Sequence, residues 1–490
     1  MKAMMVSTEF HHLIWSANHK LATHSSFSDL SFRSQFKFGN SWNVANNNFN
    51  PIRAAAAAAA AAASPSLGAS DYSEQLVGGQ MKKKRRSVAG IDQEELLDPR
   101  HLADTDSCFC EFKGVDIHYK VCEAEQEIPN EVQENNSSQL ANESRKIGLP
   151  MILLHGFGAS TFSWHRVMKP FAQITGSKVL AFDRPAFGLT SRVSHPVQPQ
   201  ATNDTIPLNP YSMAFSVLAT LYFIDFFSSK KAVLVGHSAG CLTAVEAYFE
   251  SPDRVAALIL VAPAILAPLS AEKAKKENQL EKENQVRESN SGSYQPSNPF
   301  LKLGQILSKV FVYISATIMQ LLRGIVDIAN SLYMKALAAI LRSAIAVTLV
   351  RMIIDKFGIS AIRNAWYDAT QVNDHILHGY TKPLRTKNWD RALVEFTVAM
   401  LTDTQTKLKP PLQKRLQEIK CPVLLITGDS DRLVPAWNSV RLSRAISGSE
   451  LEIIKNCGHL PQEEKPDELI SIVAKFLQRI FSGEELCLQT

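Results

Sequence analysis

The chain has 490 residues, more than one domain usually needs, and its 45% hydrophobic and 20% charged content is that of a globular protein. Its formal net charge of +5 is small for this length, and no basic stripe with interleaved aromatic residues suggests a nucleic-acid partner. The seven cysteines are odd in number and lack metal-ligand spacing, so we expect no disulfide framework, no metal and no cofactor.

Residues 1–100 are predicted to be a plastid transit-like leader followed by a disordered tail. The first 70 residues contain only two acidic residues among many serines, and a run of ten alanines begins at Ala54. This composition is typical of chloroplast or mitochondrial transit peptides, and Ile52-Arg53-Ala54-Ala55 favours the plastid. The alternative is a disordered low-complexity extension. The basic run Lys82–Arg86 is interpreted as a solvated tail, with a nuclear signal or a contact to an anionic surface as alternatives.

Residues 106–265 are predicted to form the first part of an α/β core. A strand at Val115–Val121 is followed by a polar surface insert at 123–146, and then by an apolar strand at Pro150–Leu154. The next residues read His155-Gly156-Phe157-Gly158. Glycines let the backbone of such a turn approach a substrate, and one of its N–H groups can face a developing oxyanion. A tight turn with no catalytic role would have the same composition.

The pentapeptide Gly236-His-Ser-Ala-Gly240 follows the apolar run Ala232–Val235. A buried parallel strand, a sharp turn and a helix form the context of a nucleophile elbow, which places Ser238 at the tip of the turn. The amide of Ala239, directly after the serine, is a candidate oxyanion donor. The alternative interpretation is a Gly/Ser-rich turn between a strand and a helix.

A helical cap is predicted at residues 266–394, after a strand at Val255–Val261, with a disordered charged stretch at 271–297. Three strongly apolar helices are expected in it: Phe300–Leu322, Ile325–Leu341 and Ser343–Ile354. The longest charge-free stretch has thirteen residues, Val310–Leu322, so we predict no membrane-spanning helix. The helices are expected either to be buried in the cap or to lie on a bilayer surface. Both alternatives place an apolar lid over Ser238.

The core is predicted to resume with the Trp389–Met400 segment and to occupy residues 395–482. Strands at Pro422–Thr427 and Leu451–Ile454 are each followed by a polar loop, the first carrying Asp429 and Asp431 and the second His459. A serine hydroxyl needs a base to take its proton, and the base needs an orienting acid. The order Ser, Asp, His, each after a strand, therefore predicts a catalytic triad in which either aspartate is the acid. Alone, each aspartate would be interpreted as a turn former.

Together these segments resemble the α/β-hydrolase superfamily, in the branch with esterases, lipases and carbon–carbon bond hydrolases. They are HGFG at 155–158, FDRPAFGLTSR at 182–192, GHSAG at 236–240, GDSDRLVP at 428–435 and NCGHLPQEEKP at 456–466. The similarity covers roughly residues 106–265 and 395–482, and the DRPAFGLTSR stretch with the large insertion resembles plant plastid-type hydrolases. The resemblance implies an α/β class fold, with a mostly parallel central sheet flanked by helices and a helical cap or lid insertion.

The resemblance also implies catalytic roles. In family members with the G-D-x-D-x-x-V-P pattern the second aspartate is usually the acid, which favours Asp431 and makes Asp429 a loop former. Ser238 would attack a carbonyl while His459 accepts its proton. A serine rather than an aspartate at the elbow argues against epoxide hydrolase and dehalogenase chemistry.

The oxyanion would then bind the amides of Phe157 and Ala239. The turn around them is expected to contact the substrate through His155, Gly156 and Gly158, and the His155 side chain is interpreted as a structural hydrogen-bonding group rather than a proton carrier.

The leading hypothesis is a chloroplast serine hydrolase that cleaves a lipophilic carboxylic ester through an acyl-enzyme. Its partner would be a hydrophobic small-molecule or lipid ester, with peripheral membrane contact through the cap and no nucleic acid. One alternative is an acyltransferase, in which another alcohol replaces water. The other is a ligand receptor or scaffold that retains the hydrolase fold.

Overall fold

The computed structural model describes residues 87–124, 147–193, 208–268, 299–402 and 410–482. The leader and basic run within residues 1–86, nearly all of the insert at 123–146 and the charged stretch at 271–297 lie outside the described residues. The plastid location inferred from the leader therefore stays a prediction.

Within the described ranges, eight strands form one sheet in the spatial order β10-β9-β8-β7-β5-β6-β4-β3. In chain order the strands are β3 (Cys108–Phe112), β4 (Val115–Cys122), β5 (Met151–Leu154), β6 (Val179–Phe182), β7 (Ala232–His237), β8 (Val255–Val261), β9 (Val423–Gly428) and β10 (Glu450–Ile454), after a short hairpin of β1 (Ser87–Val88) and β2 (Ile91–Asp92). From β10 to β6 neighbouring strands are parallel, and β4 and β3 pair antiparallel at one edge. The strands predicted from apolar runs are confirmed to within two residues at each end.

Helices cover both faces of the sheet. They are α1 (Met168–Thr175), α2 (Met213–Phe226), α3 (Gly240–Glu250), α4 (Pro299–Leu341), α5 (Ala344–Ala365), α6 (Asp374–Thr381), α7 (Trp389–Thr402), α8 (Leu412–Arg415), α9 (Ala436–Ala445), α10 (Pro461–Glu464) and α11 (Pro466–Ser482). Because successive side chains of a strand point to opposite faces, Ile152 and Leu154 pack toward α2 and α3, whereas Met151 and Leu153 pack toward α1 and α11. A strand buried on both sides must be apolar throughout, which explains the uninterrupted Met-Ile-Leu-Leu of β5.

The parallel strands place the predicted site loops at one edge. Strands β5, β7 and β9 run in the same direction, so the turns after Leu154, His237 and Gly428 emerge together at the carboxyl end of the sheet. In α/β sheets this is the edge where ligands bind.

The cap extends further along the chain than the sequence predicts. The segment Trp389–Met400 was expected to resume the core, but it forms α7, whose Val394 and Val398 pack against Ala338 of α4. The ion pair between Arg351 and Asp390, at 2.7 Å, also joins α7 to α5. Apolar residues of α7 contact both the cap and the core. This explains why the sequence of the segment predicts a core element.

The apolar cap helices also differ from the prediction. Two of the three expected helices are one continuous helix, α4, which runs through Gly324 without interruption. Its described apolar side chains are largely exposed rather than buried in the cap, with Leu321 at 64% and Ile328 at 63% of their full accessible area. By length and composition, the 23 residues Met319–Leu341 suffice to cross a bilayer, and core helices of soluble proteins can satisfy the same criteria. This differs from the sequence-based prediction, in which the longest charge-free stretch was too short for a spanning helix.

The final residues of the predicted leader are part of the fold. Within residues 87–100, the amide of Ala89 donates to the Asp355 carboxylate of α5 at 2.8 Å. The amide of Leu97 donates to the carbonyl of Arg385 at 2.9 Å, and its carbonyl accepts from Lys387 at the same distance. The expectation that the fold begins after residue 100 is therefore wrong, because strands of two residues each are too short to show a hydrophobic period.

Candidate active site

Ser238 occupies a strained turn between β7 and α3. Its φ is +52°, a left-handed conformation that non-glycine residues rarely adopt. The turn is held by the Ser238 amide, which donates to the carbonyl of Val261 at 2.9 Å, and by the Ser238 carbonyl, which accepts from Cys241 at 3.1 Å. This is the geometry of a nucleophile elbow, in which a sharp turn presents the serine above the end of a strand.

The two glycines of the pentapeptide are required by close backbone approach. A Cβ on Gly236 would lie 2.6 Å from the Cα of Cys241, within the same turn. A Cβ on Gly240 would lie 2.0 Å from the carbonyl oxygen of Leu154 in the neighbouring strand. The start of α3 therefore lies directly against β5, and this contact fixes the position of the serine relative to the turn after β5.

Gly240→Ala is expected to lower the free energy of unfolding by about 3 kcal/mol or more, because the added methyl group collides with backbone that cannot rotate away. Gly324→Ala is the matched control: nothing lies within 4 Å of its Cβ position. Removing a glycine from an exposed helix should raise stability by about 1 kcal/mol. Urea unfolding followed by circular dichroism compares the two variants, and equal effects would contradict the packing described.

Of the two candidate aspartates, Asp431 contacts His459. The imidazole Nδ1–H donates to Asp431 Oδ2 at 2.7 Å, and both side chains are buried. The other carboxylate oxygen accepts the amides of Leu433 and Val434, each at 2.8 Å. Asp429 is exposed, and one of its carboxylate oxygens accepts hydrogen bonds from the Ser430 hydroxyl at 2.9 Å and from the amide of Cys457, in the loop that carries His459, at 3.5 Å. Asp431 is thus held in place to orient the imidazole and fix its tautomer.

The loop that carries His459 is positioned by residues that the sequence analysis did not single out. His237 donates its Nε2–H to the carbonyl of His459 at 2.9 Å, and the two rings lie 4.9 Å apart. Burial, with a smaller contribution from His459, lowers the pKa of His237 to about 3, so this imidazole stays neutral. The Glu464 carboxylate accepts the amides of Gly458 at 2.9 Å and Tyr367 at 2.7 Å. In the sequence, only their positions indicate these roles: His237 directly precedes Ser238, and Glu464 follows His459.

Ser238 and His459 therefore share one edge of the sheet. His237 immediately precedes the serine, so its bond to the His459 carbonyl ties the nucleophile turn to the histidine loop. Among the described contacts, no hydrogen bond joins the Ser238 hydroxyl to the imidazole. Such contacts are often long without substrate and shorten in the reacting complex.

The turn after β5 lies against the nucleophile. A Cβ on Gly156 would be 3.1 Å from the Cβ of Ser238, so the backbone of Gly156 and Phe157 approaches the serine closely. Within the described part of the chain, neither the amide of Phe157 nor that of Ala239 has an acceptor. Two unpaired N–H groups beside a serine are the donors that a tetrahedral oxyanion requires.

The His155 side chain supports this turn from below and is inaccessible to substrate. Its Nδ1–H donates to the carbonyl of Gly156 at 2.7 Å, and its Nε2 accepts the amide of Arg184 at 3.0 Å. Burial, together with the nearby Arg184 charge, lowers the pKa of His155 to about 4. Both ring nitrogens are used, so the side chain has the structural role predicted for it, and a substrate contact of His155 could come only from its backbone. Contacts through Gly156 and Gly158 stay predictions.

The DRPAFG segment supports the same edge of the sheet. The buried Asp183 carboxylate accepts the amides of Thr161 at 2.6 Å and Leu189 at 2.7 Å, and His118 Nδ1–H at 2.7 Å. Burial alone would raise the pKa of Asp183, but His118 and these hydrogen bonds outweigh it and lower the pKa to about 2. The carboxylate thus joins strand β4 to the segments around Thr161 and Leu189 beneath the site.

Aromatic rings line the approach to the turn. Phe157 and Phe187 meet edge to face with ring centroids 5.4 Å apart, and Phe396 of α7 lies 4.8 Å from Phe187 and 6.1 Å from Phe157. Phe157 keeps 36% of its area exposed, whereas Phe396 is buried. Sequence reasoning missed Phe396 because it assigned that segment to the core. The three rings form an aromatic wall beside the turn after β5, which we call the oxyanion turn because it carries the Phe157 amide.

No group of three or more metal-ligating side chains is clustered within residues 87–124, 147–193, 208–268, 299–402 and 410–482.

A family model described as the α/β hydrolase fold matches residues 150–466. The chain belongs to the α/β-hydrolase family. This α/β hydrolase has the fold predicted from its motifs, a mostly parallel sheet flanked by helices. The plant plastid-type resemblance finds no support among the relatives below.

Two bacterial hydrolases are among the similar proteins. The uncharacterized hydrolase YugF of Bacillus subtilis is 21% identical over 328 residues, covering 67% of this chain and 89% of its own length. The 2-hydroxy-6-oxononadienedioate/2-hydroxy-6-oxononatrienedioate hydrolase of Escherichia coli K12 is 25% identical over 337 residues, covering 67% and 87%. Among solved structures, Cfl2 of Burkholderia cenocepacia covers 76% of this chain and 95% of its own at 17% identity, with a TM-score of 0.48. The relatives support a hydrolase.

Proposed function

We propose that this α/β hydrolase cleaves a lipophilic carboxylic ester through an acyl-enzyme formed on Ser238. The observation that carries the proposal is the convergence of three features at one sheet edge. They are a serine in a strained turn, a histidine hydrogen-bonded to a buried aspartate, and two backbone amides without acceptors. Each has an ordinary structural explanation alone, but together they supply the nucleophile, base and oxyanion site of acyl transfer.

The proposed reaction begins when Ser238 Oγ attacks the ester carbonyl carbon and its proton passes to Nε2 of His459. Asp431 stabilises the imidazolium through the Nδ1–H bond, and the amides of Phe157 and Ala239 stabilise the oxyanion. Collapse of the tetrahedral intermediate breaks the bond between the carbonyl carbon and the alkoxy oxygen. The alkoxy group takes the proton from His459 and leaves as an alcohol. Water, deprotonated by His459, then attacks the acyl-enzyme and releases the acid. An alcohol in place of water would give the acyltransferase alternative.

The aromatic wall supports an apolar acyl or alcohol group. Phe157, Phe187 and Phe396 stand beside the oxyanion turn, where the group attached to the carbonyl must lie. The guanidinium of Arg184, 5.5 Å from the Phe187 ring centroid, is buried and donates to the His155 carbonyl at 3.1 Å. A charged substrate would gain no exposed partner from it, whereas each methylene buried against the rings is worth about 0.8 kcal/mol.

A second candidate is hydrolysis of a 2-hydroxy-6-oxo dicarboxylate, the substrate named for the Escherichia coli relative. The observation that favours it is the 25% identity across most of both chains. The aromatic wall argues against this candidate, because the two carboxylates of such a substrate need cationic or hydrogen-bonding partners.

p-Nitrophenyl esters of increasing acyl length distinguish the candidates. We expect kcat/KM to rise from acetate to octanoate, by up to about fourfold for each methylene that becomes buried. Phe157→Ala should flatten this rise, while Phe226→Ala, which removes an exposed ring on α2, should leave it unchanged.

Turnover of 2-hydroxy-6-oxononadienedioate at least roughly tenfold faster than the best ester would select the second candidate. Stoichiometric acylation without turnover of any substrate would support a ligand receptor.

A further inference from the structure

Helix α4 carries an exposed apolar face that the fold does not cover. Leu321, Ile325, Ile328 and Leu332 recur at spacings of four, three and four residues, so they line one side of the helix, and each is more than 60% exposed. We call these four residues the α4 ridge. The start of α5 continues the exposed apolar surface, with Ile345 at 82% and Met352 at 58%. Large contiguous apolar surfaces of this kind mark interaction sites.

The opposite side of the same helix is polar. Gln320, Arg323, Asp327 and Asn330 follow one another at spacings of three, four and three residues, roughly 150° around the helix from the ridge. Over residues 299–355 the sequence has six basic and two acidic residues, an excess of four positive charges, and two of the basic residues, Arg342 and Arg351, pair with Glu395 and Asp390 of α7. An apolar face, a polar face and a basic balance are the features of a helix that lies in the interface of an anionic membrane.

Chain topology argues against a spanning helix. The insertion leaves the sheet after β8 and returns to it at β9, so both of its ends lie on the same side of any membrane. A chain that leaves and returns must cross an even number of times. Among the described helices, only the Met319–Leu341 part of α4 is long and apolar enough to cross. The stretch 271–297 is too charged for a return crossing.

A second copy of the chain fits the face less well than a lipid surface. A two-helix coiled coil uses a narrow stripe of two positions in seven. Here exposed apolar residues continue beyond the ridge through Val326, Tyr333 and Ile340, giving a face roughly 160° wide. Lys335 occupies the position where the narrow stripe would continue.

We propose that the α4 ridge and the start of α5 dock onto the surface of an anionic lipid bilayer, with α4 lying parallel to it. The 23 residues Met319–Leu341 would then place roughly 34 Å of helix along the surface. The ridge side chains enter the acyl boundary, and the side with Arg323 and Asp327 faces water and headgroups.

This surface is connected to the aromatic wall through one helix. Val394 and Val398 of α7 pack against Ala338 of α4, while Phe396 of the same helix contacts Phe187 beside the oxyanion turn. Docking itself does not depend on the proposed ester hydrolysis.

Vesicle flotation of the full chain tests the proposal, with vesicles of phosphatidylcholine containing roughly 30 mol% phosphatidylglycerol. Leu321→Glu/Ile328→Glu should reduce the bound fraction at least roughly tenfold, because two charges would enter the apolar boundary. Gln320→Glu/Asn330→Glu adds the same charge to the polar side of the same helix and should change binding by less than about threefold. Both positions of the ridge variant are exposed, so the fold is expected to persist, as circular dichroism can verify.

Ser238→Ala should float like the unmodified chain, which separates docking from catalysis. Unchanged flotation of the ridge variant, or equal losses in both variants, would overturn the proposal. So would a dimer of the unmodified chain in light scattering that the ridge variant abolishes without any change in vesicle binding.

Discussion

Replacing Ser238 by alanine is expected to reduce kcat for ester hydrolysis by a factor on the order of 10⁴ to 10⁶. No other group in the site can form the acyl-enzyme, so only binding and the two amides of Phe157 and Ala239 would still lower the barrier. The fold should persist, because alanine differs from serine by one oxygen and adds no new atom to the crowded turn. Stopped assays with the best p-nitrophenyl ester measure the change.

Thermal unfolding of Ser238→Ala provides the control, since a melting temperature close to that of the unmodified protein excludes loss of activity through misfolding. Retention of more than about one-tenth of the activity in a folded variant would show that Ser238 is not the nucleophile.

Removing the base should be as severe as removing the nucleophile. His459→Ala is expected to lower kcat on the order of 10⁶-fold, because the hydroxyl of Ser238 then has no group to accept its proton. Asp431→Asn should lower it on the order of 10⁴-fold, since an amide can donate to Nδ1 and stabilise the wrong imidazole tautomer.

Asp429→Asn is the matched control for Asp431→Asn, because it makes the same change two residues away in an exposed side chain, and asparagine keeps an oxygen that can accept from Ser430 and from the Cys457 amide. We expect it to change kcat by less than about threefold. The reverse order of effects would assign the acid to Asp429.

The sheet and the positions of the site loops could be predicted from the sequence because both depend on local patterns. A strand buried on two faces has no polar residue, so β5 and β8 are visible as uninterrupted apolar runs. The elbow is visible because close packing tolerates only glycine at 236 and 240. Asp431 needed the resemblance, since nothing in the loop itself separates it from Asp429.

The cap and the supporting contacts could not be predicted in the same way. Helix α7 packs on both the cap and the core, so its sequence does not show to which it belongs. The all-round apolar sequence of α4 predicts burial, whereas the fold leaves its ridge exposed. His237 and Glu464 act through hydrogen bonds to backbone groups far along the chain, which no local spacing encodes.

Reaction of the full chain with a fluorophosphonate, followed by mass spectrometry of the digested protein, tests most directly whether this edge of the sheet carries an activated serine. We expect one adduct per chain, on Ser238 within the peptide 232–254, with labelling strongly reduced in His459→Ala. An adduct on another residue, or no adduct in a preparation that hydrolyses esters, would contradict it.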